Sequence, residues 1–376
     1  MAEWIFRIVA VIACLGGAAA LLRGDRLHPA LEAIRRVRER DGDAKAARTR
    51  PKEPKAWKKA LAFLLVVIAA VCAMAGGAEM GIQATLDRRG FYVGCIDGVW
   101  GLKSSMALDA YARSIGHAPF PCATAEEREK TLQELWKDNF EIPPLLKTVT
   151  VDDEAMEAVM GPLPATPAEK SEYTDLGYET LLEYYSELGH SSQKAVKKLN
   201  PSVQWPDPPP GTKVVIPNVN DEQFLSMEER ERRKTAKAVR LEVRWGGPLP
   251  PSVTAYDAKG TVISFAPCSI AASKENLPPE GELKVVSLAE NPNYTYTPEK
   301  PGEGNGRCIL PPGPNNPVGR AWIGLSLPGY GIHGTPYPEQ IGRAESHGCF
   351  RLANWNAVHF YNLVDVGTPV VIKVSK

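Results

Sequence analysis

The sequence predicts a multidomain α+β protein, with one or two apolar membrane segments at its N-terminus, a small helical domain, a small α/β unit and a mainly-β C-terminal domain of sandwich or barrel type. Three observations predict it. The 376 residues exceed what one ordinary domain holds. Up to about residue 218 the apolar residues recur at helical spacing, whereas beyond residue 237 short runs rich in Val, Ile, Thr and Phe are divided by Gly, Pro and Asn. Two apolar runs, Trp4–Leu22 and Ala60–Gly77, flank a basic stretch.

Each apolar run is about long enough to cross a bilayer, although Arg7 interrupts the first. Residues 23–59 carry 13 Lys/Arg against 6 Asp/Glu, a local balance of +7 in a chain with 44 of each. The overall neutrality removes any global electrostatic argument for nucleic acid. Basic loops stay in the cytoplasm, so everything after Gly77 is expected outside it. Lys58-Lys59, the apolar run and Ala73-Met-Ala-Gly-Gly77 equally fit a cleaved signal peptide. A lipoprotein signal ending at Cys72 is a third option, disfavoured by the bulk of Val71. The expectation is therefore an apolar segment and basic cytoplasmic loop over 1–59, and an anchor or signal peptide over 60–78.

Residues 79–125 read as helix, glycine turn, helix: Gly90 ends the first helix, Asp97-Gly98 turns the chain, and Ala107, Leu108 and Tyr111 recur at helical spacing. Residues 126–170 read as a linker, Pro-rich and charged near Gly161–Lys170. In the unit 171–218, Leu181, Leu182, Tyr185 and Leu188 form one apolar helical face and Ala195, Val196 and Leu199 a second, with Ser191 or Ser192 as N-cap. Leu199-Asn-Pro201 ends that helix, and Gly211–Pro217 reads as a closing strand. Residues 219–236 are a charged linker. Over 237–376 the predicted strands are Val239–Arg244, Val253–Tyr256, Thr261–Phe265, Leu283–Leu288 and Pro369–Val374, with a helix at Asn354–Val364 and an irregular rim at Pro311–Pro317.

The chemistry concentrates at Gly331-Ile-His-Gly334 and Ser346-His-Gly-Cys-Phe-Arg-Leu352. A thiol becomes a useful nucleophile when a histidine can take its proton and glycines let backbone N–H groups face a developing oxyanion. Cys349 is the candidate nucleophile and His333 the candidate base, because its loop is braced by Pro336-Tyr-Pro338. His347, two residues before Cys349, is given a supporting role, and Ser346 and Gly348 the oxyanion region. Metal ligation fits poorly, since His333, His347 and Cys349 are only three candidate ligands without paired short spacings. The other histidines, His28, His117, His190 and His359, sit singly in helical or polar contexts and read as structural or solvated.

These residues resemble the active-site signature of the YkuD-type L,D-transpeptidases: His333-Gly-Thr335, Ile341-Gly342 and Ser346-His-Gly-Cys-Phe-Arg-Leu352. The likeness extends back through Gly313–Arg320, Asn291–Tyr294, Gly281–Lys284 and Ala255–Gly260 to about Lys237. It implies that Cys349 attacks a peptidoglycan stem carbonyl before the terminal D-alanine, with His333 as base and then acid. A carbonyl of the Gly334 region would orient the imidazole, and the acyl group would pass to an amine of a neighbouring stem. Thr335 and Tyr330 are expected at the substrate; Arg351 is suited either to binding a substrate carboxylate or to bracing the loop. No metal or organic cofactor is implied. Residues 79–125 resemble a peptidoglycan-binding domain, and 171–218 the later part of a LysM-like module whose opening strand is not evident. The expected partners are thus stem peptides, glycan strands and, through the N-terminus, the membrane. In an oxidising compartment Cys95 with Cys122 and Cys268 with Cys308 are the candidate disulfides, leaving Cys349 unpaired. The same catalytic fold used as a hydrolase, and a silent wall-binding protein, are the rival readings.

Overall fold

A computed structural model describes residues 77–136, 144–219, 237–271, 277–298, 306–342, 344–346 and 348–375. Residues 72–376 form one compact unit, and both N-terminal apolar runs lie outside the described residues apart from Gly77. Among the described residues no helix is long and apolar enough to cross a membrane. The charged linker falls outside them except for Val219.

The first module packs three helices, α1 over 77–88, α2 (Leu102–Ser114) and α3 (Ala125–Trp136). Gln83 of α1 holds the expected Asp97-Gly98 turn from inside: its carbonyl oxygen accepts from both backbone N–H groups, at 3.1 and 2.8 Å, while its amide donates to Asp97 Oδ1 and Ser104 Oγ. Helix α3 lies in the span read as linker, with Leu132, Leu135 and Trp136 buried in the same core as Ile82, Leu86 and Leu108.

The second module is also larger than its sequence suggested. Strand β1 (Leu146–Thr150) pairs antiparallel with β2 (Lys213–Pro217), and between them run α4 (Asp153–Glu157), α5 (Pro167–Lys170), α6 (Leu181–Leu188) and α7 (Gln193–Leu199). Strand β1 thus lies in the span read as linker, separated from α6 by the stretch that carries α4 and α5. Thr180 caps α6 and Ser192 caps α7, each hydroxyl accepting from a backbone N–H at 3.1 Å. Asn200 ends α7 by exchanging two 2.7 Å hydrogen bonds with the backbone of Val215.

The C-terminal module has β3 (Arg240–Trp245), β4 (Ser252–Tyr256), β5 (Val262–Pro267), β6 (Ile270–Ala271), β7 (Gly281–Glu290), β8 (Tyr294–Tyr296), β9 (Cys308–Leu310), β10 (Ala321–Leu325), β11 (Gly331–His333), β12 (Ala344–Ser346), β13 (Phe350–Arg351), α8 (Asn354–Leu363) and β14 (Pro369–Val374). Eight strands form one mixed sheet in the order β13-β11-β10-β7-β14-β3-β4-β5. It is a single curled sheet rather than a two-sheet sandwich. Its two ends meet, because Ser269, just past β5, exchanges backbone hydrogen bonds of 2.9 and 3.0 Å with Arg351 of β13. Leu241, Val243, Ile323, Ile332, Phe350 and Ile372 fill the interior with Ala357 and Phe360 of α8. The expected strands are all present, Pro369–Val374 with its ends unchanged and the others with ends moved by at most two residues; β6 and β8–β13 escaped notice because most are two or three residues long.

The modules are joined by backbone pairing. Tyr92 N–H donates to Phe265 O at 2.8 Å and Phe265 N–H to Gly90 O at 3.2 Å, so the first module covers the free edge of β5. The five described cysteines are free thiols, which corrects both expected disulfides. Cys268 is buried in the core of the sheet, whereas Cys308 lies on the separate β8-β9 ribbon. Cys95 is held as a thiol, since burial pushes its pKa up to about 12.

Candidate active site

Strands β11 and β13 run parallel, with Ile332 opposite Phe350 and His333 opposite Arg351. Ile332 and Phe350 are fully buried in the core. Side chains alternate along a strand, so His333 and Arg351 project from the other face. One step earlier in the same register, Cys349 shares that face beside Gly331. The nucleophile and base candidates, 16 residues apart in sequence, thus become diagonal neighbours on adjacent strands. Gly348, with φ +147, gives the turn into β13 a conformation that side chains rarely adopt.

His333 is 4% exposed, and its Nδ1 lies 2.6 Å from the Gly334 carbonyl oxygen. A carbonyl only accepts, so Nδ1 carries the proton and Nε2 keeps its lone pair. Burial, with a smaller contribution from Arg351, pushes the imidazole down to about 4 against the opposing Gly334 bond. The ring is therefore a neutral base at pH 7. Cys349 Sγ donates to Gly329 O at 3.4 Å. Burial raises its pKa, partly offset by a hydrogen bond from the Gly331 backbone and by Arg351. The thiol is thus protonated and the imidazole neutral at pH 7, the protonation states that proton transfer concerted with attack would require.

Trp322 and the ties to the other two modules had no signal in the sequence. Trp322 of β10 is the register partner of His333 and stacks on it, ring centroids 5.5 Å apart at 22°. A side chain at Gly331 would strike that indole, at 2.6 Å from its ring carbons. Tyr294 of the β8-β9 ribbon interacts electrostatically with both Cys349 and Arg351. The loop after His333 is tied to all three modules: Lys103 Nζ donates to Ile341 O at 3.0 Å, Gln193 N–H to Glu339 Oε1 at 2.7 Å, and Gly342 N–H to Ser269 Oγ at 3.1 Å.

Of the remaining candidates, Thr335 is buried and its hydroxyl accepts from Tyr337 N–H at 3.3 Å, which braces the turn. Tyr330 closes the β10-β11 turn, its carbonyl accepting from Leu325 N–H at 3.0 Å. The backbone of Ser346 belongs to β12, paired with β6. His347 lies outside the described residues, as does His28. His190 bonds Asp87 at 2.8 Å and stacks on Trp355, His117 pairs with Glu134, and His359 packs edge-on against Tyr92; none of these joins Cys349 and His333.

Residues 249–372 match the family model of the YkuD L,D-transpeptidase catalytic domain. A candidate L,D-transpeptidase, YqjB of Bacillus subtilis, is 41% identical over 110 residues, 28% of this chain and 57% of that protein. Another, from the ATP synthase subunits region of Fuscovulum blasticum, is 35% identical over 115 residues, 31% of this chain and 60% of its own. The chain thus spans under two thirds of the length of these curated relatives. The crystal structure of L,D-transpeptidase 3 of Mycobacterium tuberculosis overlaps 35% of this chain and 60% of its own at 18% identity and a TM-score of 0.28. Over residues 249–372, which include both Cys349 and His333, the chain is therefore similar to L,D-transpeptidase catalytic domains.

Proposed function

We propose that the protein is a cell-wall L,D-transpeptidase that works by two acyl transfers through Cys349. The observation that carries this reading is the shared face of Cys349 and His333, with Nδ1 of the imidazole engaged and Nε2 left as the base. Cys349 Sγ attacks the stem-peptide carbonyl while His333 Nε2 takes the thiol proton. The tetrahedral oxyanion is held by backbone N–H groups around Gly348 and Cys349, each such donor worth roughly 3 kcal/mol in acyl-transfer enzymes. Its collapse breaks the peptide bond, His333 returns the proton to the departing D-alanine amine, and a thioester remains. An amine of a neighbouring stem then attacks the thioester, giving its proton to His333. The new amide forms, and the proton returns to the thiolate. Arg351, on the same face, either binds a stem carboxylate or braces the strand pair.

The first two modules serve wall binding, the helical one as a peptidoglycan-binding unit and the second as a LysM-like unit with β1 as its opening strand. The whole works outside the cytoplasmic membrane, tethered by its N-terminal apolar segments or released by signal cleavage. Support for this comes from the basic stretch at 23–59 between two apolar runs. Mass spectrometry of the purified chain with a tetrapeptide stem tests the reaction. Loss of D-alanine and a crosslinked product in the presence of an acceptor amine is expected. Free tripeptide alone, with an acceptor present, would make the protein a hydrolase, and no acyl-enzyme at all would overturn the reading.

A further inference from the structure

Behind the catalytic face, α6 of the second module meets α8 of the third through a buried carboxylate. Glu187 Oε2 accepts from Asn354 Nδ2 at 3.1 Å, and Glu187 Oε1 accepts from the hydroxyl of Tyr178 at 3.1 Å. Asn354 is fully buried at the start of α8. Its amide also donates to Pro314 O at 3.1 Å, and its Oδ1 accepts from Arg320 N–H at 3.2 Å. That oxygen is wedged between Gly319 and Gly334, for a Cβ added at either glycine would collide with it. Gly334 is the residue whose carbonyl receives the His333 Nδ1 proton. The chain of contact from Glu187 to the imidazole thus has two intermediaries.

The rim at Pro311–Pro317 is drawn into the same seam. Asn315 Nδ2 donates to Glu183 Oε1 and to Gly177 O, both at 2.8 Å, and Leu176 N–H donates to Pro312 O at 2.7 Å. The second module therefore grips the N-terminal part of the loop that carries Gly319 and Arg320. A helix surface carboxylate facing water would need none of this. Burial pushes Glu187 up to about 6 against hydrogen bonds from Asn354 and Tyr178 and the nearby Arg320.

We propose that Glu187, in the module preceding the catalytic sheet, is a positioning residue for His333: it fixes the Asn354 amide, which in turn fixes the Gly334 peptide that selects the Nδ1-protonated imidazole. The proposal rests on His333 acting as the base. It makes the second module a part of the catalytic machinery as well as a candidate wall-binding unit. Glutamine can replace the carboxylate, its carbonyl accepting from Asn354 and its amide donating to Tyr178, whereas alanine leaves Asn354 Nδ2 without this partner.

The test uses the full chain with Glu187→Ala and Glu187→Gln, read by two measurements. One is the ring 15N shifts of His333, which report the tautomer without requiring turnover. The other is saturation kinetics of Cys349 acylation by a β-lactam probe. Glu187→Ala should mix the tautomers and slow the first-order acylation step about tenfold, with the half-saturating probe concentration unchanged. Glu187→Gln should restore both. Wild-type tautomer and rate in Glu187→Ala would overturn the proposal while leaving the proposed function standing; a wild-type chain that never acylates, with the tautomer still dependent on Glu187, would sink the proposed function alone. Should Glu187→Ala fail to fold, Glu187→Met fills the same space without an acceptor for Asn354 and should show the same mixed tautomers and slowed acylation; wild-type values in that variant would overturn the proposal.

Discussion

His333 and Glu187 are both ionisable groups withdrawn from water, yet they are supported in opposite ways. His333, on the outer face of β11, has burial pulling its pKa down to about 4 and one carbonyl holding its tautomer. Glu187, in the seam between α6 and α8, has burial pushing its pKa up to about 6 and two donors holding its position. The catalytic face keeps a base uncharged and ready; the seam keeps an acceptor fixed. The difference teaches that the reactive geometry and its support belong to different modules, although the chemistry is confined to one.

The sharpest way to break that contrast is Cys349→Ala, which should reduce acyl-enzyme with stem peptide to nothing by mass spectrometry while leaving the seam intact. His333→Gln comes next, and loss of a general base should slow acylation by about 10²–10⁴-fold. In the wild type the acylation rate should show no inflection near 6.5 and should decline only as pH approaches 4, because the imidazole is already neutral above that. A bell centred near neutrality would contradict the burial described for His333.

The same burial has a stability counterpart. A histidine with a folded pKa of about 4, below its ordinary 6.5, binds fewer protons folded than unfolded in that window. Its contribution is present above pH 6.5 and lost as pH falls towards 4, on the order of 3 kcal/mol for a shift of this size. Chemical denaturation at pH 4.5 and 7 should show this difference shrink in His333→Gln. Glu187 has the opposite sign: a raised carboxyl loses stability as pH rises through 4.5 to 6. Glu187→Gln should therefore gain stability relative to wild type at pH 7 and match it near pH 4.

Trp322→Ala leaves every hydrogen bond in place and removes only the stacked wall over the imidazole. A loss of about tenfold in acylation is expected there from relaxed ring orientation. Gly331→Val, which drives a side chain into the same indole, should do likewise with Trp322 itself unsubstituted.

The candidate nucleophile and base stand out in the sequence because the chemistry they suggest is written in residue type and spacing over a short stretch, Gly331 to Leu352. Strand β14 was legible because Pro369–Val374 is a continuous Val/Ile-rich run. Strand β1 was not, since Leu146-Lys-Thr-Val-Thr150 follows Pro143-Pro144 and finds its partner more than 60 residues later. Trp322 and Glu187 carried no signal in the sequence. Their roles come from tertiary contacts, Trp322 with β11 and Glu187 with α8, which no local pattern encodes. The disulfide expectation failed for a related reason: counting cysteines says nothing of which side of a sheet each one occupies.

The covering of β5 by the first module has a practical consequence. Phe265 offers its backbone N–H and C=O to Gly90 and Tyr92. Val262 and Phe265 also send their side chains into the core shared with that module. A catalytic fragment cut at Lys237 would carry an open strand edge beside two uncovered apolar side chains. Such an edge recruits another copy of itself, so the isolated catalytic domain should self-associate where the longer chain does not.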